Sequence, residues 1–264
     1  STTIPAWRGR RPPPRDERAR AVTEGLHRIY STFFDPAMIA QALPEILRVG
    51  LPNTLLLSVC ASLIGIALGL AIAAGLVTGH RGVTLPCRAY VDILRGLPHI
   101  LTVYLIGQGL PLAGLAIFGG NTYGYAALAI GLIESAYFAE IFRAGFQSVE
   151  RGQIEAARST GMTKLQTLRH IVVPQGVRRV LPPLTGQFIL VVKATSLVYL
   201  LGLTAMQREM FAIGQDAAIN NANLSPLTAV GLVYLALTVP ATYAVNAWDR
   251  RIRGGRSTEL AEAD

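Results

Sequence analysis

Between Leu51 and Gly79 the chain runs for 29 residues without a charged side chain. A bilayer's hydrocarbon core, about 30 Å thick, needs about 20 mostly apolar residues to be crossed by a helix, because every backbone polar group must be satisfied inside the segment. This run meets that requirement, and four further apolar stretches share it: about Ala89–Leu110, Tyr123–Ala144, Pro182–Thr204 and Leu224–Trp248. A composition of 51% apolar and 15% charged residues, with positive mean hydropathy, agrees. The sequence therefore predicts an all-α integral membrane protein of about five transmembrane helices, multi-pass, with no large soluble domain beside them. Residues 1–42 read as a polar tail and amphipathic segment, 43–248 as the transmembrane domain and 249–264 as a polar tail.

Within this plan the details follow from residue type. Residues 1–28 are rich in arginine and proline and read as a poorly ordered tail. From Ile29 to Val49 the spacing of Ile39, Leu43, Ile46 and Leu47 predicts an amphipathic helix lying at the interface. In the first span Ser62, Gly65, Gly69 and Ala73 recur every three or four positions. Such a stripe either lets a second helix approach closely or marks only a tolerant membrane helix. Arg95, Gly96 and Pro98 predict a bend in the second span, and Pro111–Thr122 and Ala205–Asn223 read as loops. Cys60 and Cys87 make no metal or redox spacing and read as two free thiols.

The net charge of +8 raises the question of nucleic acid, which needs a basic, water-exposed face. Here the basic residues flank apolar spans, where they fix orientation instead. The first connection with Arg95 holds three Lys/Arg, the segment Ala139–Pro183 seven and the C-terminal tail four, while the intervening segments hold none or only Arg208. That alternation puts Ala139–Pro183 and the C-terminus in the cytoplasm. Five spans then put the N-terminus outside, against the eight arginines of the first 50 residues.

Ala139–Pro183 is the longest charged segment of the chain. Within it Glu155–Arg158 are good helix formers, Gly161 permits a tight turn, and Lys164–Val173 predicts a second helix that Pro174, Pro182 and Pro183 return to the membrane. The expected shape is a rigid helical knob at the membrane surface.

Glu155-Ala156-Ala157, Gly161 and Ile171-Val172-Val173-Pro174 at this spacing resemble the cytoplasmic EAA signature of permease subunits of bacterial ABC importers. Ala136-Tyr137-Phe138-Ala139-Glu140-Ile141-Phe142-Arg143, Gly145, Gln147-Ser148-Val149, Gly152-Gln153, Pro174-Gln175, Leu94-Arg95-Gly96-Leu97-Pro98 and Lys193-Ala194-Thr195-Ser196-Leu197 are similar to the polar amino-acid subfamily. The likeness covers about residues 43–253.

It implies a type I ABC-importer permease fold with an EAA loop at about residues 145–181, residing in a bacterial inner membrane and importing an amino acid of the glutamate, glutamine, arginine or histidine class. It further implies two ATPase subunits gripping Glu155, Ala156, Ala157 and Gly161, a second permease, identical or homologous, and an extracytoplasmic substrate-binding protein. ATP and Mg would be bound by the ATPase, this chain carrying no cofactor and no catalysis of its own. An importer for an opine or a sulfur compound is the alternative. No G-x-x-x-x-G-K phosphate loop occurs, nor HExxH or GxSxG, and neither an inverted repeat nor a polar filter supports a stand-alone transporter.

Ionisable residues inside spans are costly and mark pathways or pairs. Glu134 and Lys193 both fall about eleven residues into their spans, near mid-membrane, and read either as a mutual pair or as substrate contacts. The family pattern has an acid after the lysine, where Ala194 stands here, so Glu134 is a candidate to replace it. Tyr137, one turn on, joins Thr195 and Ser196 as a pathway candidate. Asp92 and Glu140 read as structural or arginine-paired, and His99 as a packing residue.

Overall fold

The computed structural model describes residues 15–261, and among these every regular element is helical. In chain order the α-helices are α1 Arg15–Phe33, α2 Pro36–Glu45, α3 Leu51–Val77, α4 Arg81–Gly96, α5 His99–Gly107, α6 Gly109–Leu112, α7 Thr122–Gln147, α8 Arg151–Ser159, α9 Lys164–Thr167, α10 Val173–Ala194, α11 Met210–Asn221 and α12 Ser225–Ala261. Four apolar helical stretches are long enough to cross a bilayer: Val22–Val77, Thr122–Gln147, Leu168–Leu201 and Ser225–Asp249. The pair Arg81–Gly96 and His99–Leu112, bent by 108°, has the length and composition of a fifth when its two halves are taken as one span. The bend falls where expected, because Pro98 supplies no N–H to continue α4 and holds Leu97 extended at φ −84°, ψ 144°.

The core is the contact of α3 with α7, and the small-residue stripe is what permits it. Ser62, Gly65, Gly69 and Ala73 are all buried. A Cβ at Gly69 would stand 2.8 Å from Phe138 Cβ and 2.9 Å from the Ser135 carbonyl oxygen, and one at Gly65 2.9 Å from the Phe138 ring. Gly131 returns the favour from α7, where a Cβ would meet Ile64 at 2.7 Å. With lipid as apolar as leucine, close van der Waals approach is the main attraction left between two such helices.

Hydrogen bonds set the directions. The Tyr123 hydroxyl donates to the Asn53 carbonyl (2.7 Å), so α3 and α7 begin at one end of the bundle. At the other end Gly145 meets Val180, where the charged insert hands the chain to α10. The Leu224 N–H donates to the Thr32 carbonyl (2.9 Å), Asn223 Nδ2 to the Ser31 carbonyl (2.9 Å) and the Asp35 N–H to Ser225 Oγ (2.9 Å). The α1–α2 corner is thereby fastened to the start of α12, at the end opposite the insert.

Five expectations need correction. The segment before the first span is two helices, not one amphipathic helix over Ile29–Val49. Part of the supposed disordered tail, from Arg15, belongs to α1, with residues 1–14 outside the described range. Asp35 caps α2 through Ala37 N (2.9 Å), and α2 then runs into α3 through a π turn, Ile46–Gly50, without a break. Ala205–Asn223 is not a plain loop: Met210–Asn221 forms α11, capped by Glu209. The second helix of the insert does not end at its prolines. From Lys164 the path stays helical through a π turn, Leu168–Val172, into α10, with Pro182 and Pro183 inside. The fourth span therefore starts fourteen residues earlier than the expected Pro182, at Leu168. The tail from residue 249 continues α12 as far as Ala261.

Close packing at Gly69 has a direct test. Gly69→Leu should lower the apparent Tm of the detergent-purified chain, because overpacking costs about 1–3 kcal/mol, whereas Gly82→Ala, with nothing within 4 Å of the added carbon, should leave it unchanged. Equal melting of the two variants in differential scanning fluorimetry would contradict this packing.

Candidate functional site

The insert folds as a capped knob. Helix α8 ends in a Schellman turn: Gly161 N–H donates to the Arg158 carbonyl (3.1 Å) and Met162 N–H to the Ala157 carbonyl (3.2 Å). That turn requires the left-handed conformation, and Gly161 has φ +88°. The next helix starts in a capping box, with Thr163 N–H donating to Gln166 Oε1 (2.8 Å) and Gln166 N–H to Thr163 Oγ1 (3.2 Å). Both ends of the turn are therefore fixed by local bonds, independent of anything docked on it.

On this knob Glu155, Ala156 and Gly161 are exposed and Ala157 is buried. The four expected contact residues thus divide into three that face outward and one that seats the helix. Gln175 Nε2 donates to Gln153 Oε1 (2.6 Å), tying α8 to α10, and Arg179 donates to the Ser148 carbonyl. Beneath these bonds Gly145 lets α7 and α10 cross: a Cβ there would overlap Val180, and Gly176 faces the Gly145 carbonyl. The knob and α10 are joined side chain to side chain. Gln153 and Gln175 carried the sequence resemblance, but only the structure shows them in contact.

The pathway candidates do not form one cluster. Glu134 is buried (3% exposed), and its carboxylate accepts from Gln187 Nε2 at 2.6 Å. Lys193 is exposed and makes no ion pair among the described residues, so the Glu134–Lys193 pair, one of the two readings of these residues, does not form. The reason is helical phase: six residues separate Gln187 from Lys193, which turns Lys193 away from the α7 face that Gln187 meets. A neutral amide satisfies the buried acid instead. It carried no charge to draw attention in the sequence, although an amide one and a half turns from a lysine inside a span is itself a signal.

Tyr137 belongs to a third place. The Arg95 guanidinium carbon lies 5.3 Å from the centre of its ring and the His99 ring 5.7 Å away, so the α4–α5 bend presents a cation and an imidazole to α7. Glu140 pairs with Arg143 at 2.5 Å, as expected of an arginine-paired acid, while Asp92 is exposed and has no ion pair among the described residues. Thr195 is fully buried and donates to the Val192 carbonyl (2.8 Å), and Ser196 donates to the Lys193 carbonyl (2.8 Å).

Lys193 and Ser196 open instead on a cavity of about 330 Å³ between α10, α11 and α12, completed by Phe211, Leu227, Val230, Gly231 and Tyr234. Its chemistry is one ammonium, two hydroxyls and an apolar wall. Such a set can hold a carboxylate and an attached carbon skeleton.

Bundle, knob and cavity can be compared with known proteins. Residues 65–254 match the family model of the binding-protein-dependent transport system inner membrane component. The chain is 36% identical over 203 residues to the probable glutamine ABC transporter permease protein GlnM of Bacillus subtilis (strain 168), covering 77% of this chain and 91% of that protein. It is 34% identical over 223 residues to the glutamate/aspartate import permease protein GltK of Escherichia coli O157:H7, covering 83% and 98%. The crystal structure of an amino acid ABC transporter with histidines superposes with a TM-score of 0.72 at 27% identity, over 82% of this chain and 98% of that one. The five apolar crossings, the surface knob and these similarities together make the chain a member of the binding-protein-dependent transport system inner membrane components, with the permease fold of type I ABC importers.

Proposed function

We propose that this chain is the translocation subunit of an ATP-driven importer of polar or charged amino acids, in which a separate ATPase works the α8 knob from the cytoplasm and an extracytoplasmic binding protein delivers the solute. The observation that carries the reading is the knob: outward-facing Glu155, Ala156 and Gly161 on a helix locked at its end and bonded to a membrane span through Gln153 and Gln175. A surface of this kind transmits a push without deforming. The names of the similar glutamine and glutamate/aspartate permeases support the substrate class.

In this reading two ATPase subunits bind ATP and Mg and close on the knobs of two permeases, identical or homologous. The shift passes from α8 to α10 through the glutamine pair, and α10 pivots on α7 at Gly145. Along α10 the motion reaches Gln187, which holds Glu134, and then Lys193, Thr195 and Ser196. The Lys193 cavity takes the substrate's carboxylate, Ser196 and the Tyr234 hydroxyl offering hydrogen bonds beside the ammonium. Glu134 and Tyr137 line the inner part of the route, where Arg95 and His99 keep the Tyr137 ring in place. The insert and the C-terminus face the cytoplasm, in keeping with their eleven Lys/Arg residues.

Two outcomes follow. Gly161→Val should abolish the stimulation of ATP hydrolysis by loaded binding protein in the reconstituted importer, because a β-branched residue at φ +88° is strained by about 1–3 kcal/mol, while Gly161→Asn retains most of it. Full stimulation in the valine variant would remove the knob from the mechanism. Lys193→Gln should lower L-glutamate import about tenfold or more, the loss expected when a charge-assisted hydrogen bond worth about 1.5–3 kcal/mol is removed. Import at the wild-type rate, at matched amounts of protein, would exclude the cavity as a carboxylate site.

A further inference from the structure

Among the described residues two carboxylates are buried, Glu134 in α7 and Glu209 immediately before α11. The second has no part in the route drawn above. Glu209 is fully buried and caps α11, accepting from the Phe211 and Ala212 N–H groups, each at 2.6 Å. Those two donors already satisfy the cap. The same carboxylate takes a third partner, the Tyr234 hydroxyl of α12, at 3.5 Å. Tyr234 forms part of the wall of the Lys193 cavity, and its hydroxyl also neighbours Thr54 of α3 and Thr195. The Met210 N–H donates to Thr54 Oγ1 at 3.1 Å, which closes a buried polar hub joining α3, the 3-10 turn Thr195–Leu201, α11 and α12.

We propose that Glu209 is a positioning residue of the Lys193 cavity: it holds the Tyr234 hydroxyl at the cavity wall, and its protonation sets how firmly the cavity holds a carboxylate. The inference rests on the reading of that cavity as a carboxylate site. Burial pushes the Glu209 carboxyl up to about 7, against the pull of the two backbone N–H groups, so it changes charge near neutrality. The groups facing it are few. Tyr234 comes from α12, Tyr199 from the 3-10 turn stacks edge-on against Phe211 at 5.7 Å, and Lys193 of α10 lies across the cavity. Arg208, its chain neighbour, is turned away into ion pairs with Glu45 and Asp216, both at 3.0 Å, and α3 presents only Thr54. Among the described residues no cation therefore touches Glu209 to hold it ionised.

The sign follows. With Glu209 protonated, the cavity carries the Lys193 charge alone and the Tyr234 hydroxyl loses its anionic partner, so that a bound carboxylate competes for it only with Thr54 and Thr195. Once Glu209 ionises, Tyr234 donates to it instead, and a negative charge stands behind the wall. The hold on a carboxylate therefore weakens as pH rises through neutrality.

The test uses the complete importer in proteoliposomes, buffered alike on both faces from about pH 6 to about pH 8.5, with saturating binding protein. L-glutamine, L-glutamate and L-arginine serve in turn as radiolabelled probes, and import is divided by basal ATP hydrolysis to remove the ATPase's own pH profile. The wild type should lose about three- to tenfold of its import across neutrality. Glu209→Gln should flatten the profile, and Tyr234→Phe should shrink the step, since it loses the hydroxyl but keeps the Glu209 charge. A wild-type inflection that persists in Glu209→Gln overturns the proposal. So does one of undiminished size in Tyr234→Phe, which keeps Glu209 and decides the matter should the Gln variant fail to fold. If Lys193→Gln imports all three probes normally, or none is imported by the wild type, the underlying cavity reading has failed. If Lys193→Gln is impaired while the inflection survives in the other two variants, only the role of Glu209 has failed.

Discussion

Close approach of α3 and α7 through Gly65, Gly69 and Gly131 is the contact on which the rest of the molecule depends. Inside a bilayer, burying apolar surface gives no preference for a neighbouring helix over lipid, so shape and dispersion decide. The glycines let backbone meet side chain, and α7 is thereby the most enclosed of the spans, with Glu134, Ser135 and Phe138 all buried. A carboxylate in that position must be satisfied locally, and Gln187 of α10 does so. The same close packing that builds the core thus recruits α10, the helix the knob is tied to.

The knob illustrates how local chemistry makes a mechanical part. Its turn is specified twice, by a glycine whose positive φ completes a Schellman motif and by a threonine–glutamine capping box two residues later. Rigidity at the surface would be wasted without a link inward, and the Gln153–Gln175 bond with the Gly145 crossing supplies it. At the opposite end Arg208 serves a comparable purpose, bridging Glu45 of α2 to Asp216 of α11 and so joining the N-terminal helices to the elements around the Lys193 cavity.

Much of this was legible from the chain. The uncharged run Leu51–Gly79, the Gly96–Pro98 bend, the small-residue stripe and Gly161 are strong local signals, since each rests on a backbone or solvation constraint that holds in any surroundings. Of the two readings of Glu134 and Lys193, the mutual pair does not form, because matching depth along two helices leaves out their rotation, and six residues on α10 suffice to turn the lysine off the α7 face. The helix in Ala205–Asn223 carries little signal, because its residues are mixed in polarity and its cap, Glu209, is not one of the short polar residues that mark helix starts. Prolines were read as breaks, whereas Pro182 and Pro183 sit inside α10.

The sequence by itself determined the solvent, the number of crossings, the charged knob and the family, because these depend on composition, spacing and motifs carried within single segments. Which polar groups meet was decided only by the tertiary structure. Gln187 rather than Lys193 on Glu134, Gln153 on Gln175, and Glu209 behind the Tyr234 wall of the cavity all depend on the rotation and stagger of helices far apart in the chain. Those depend on how closely helices approach, as at Gly69 and Gly145, for which periodicity offers no measure.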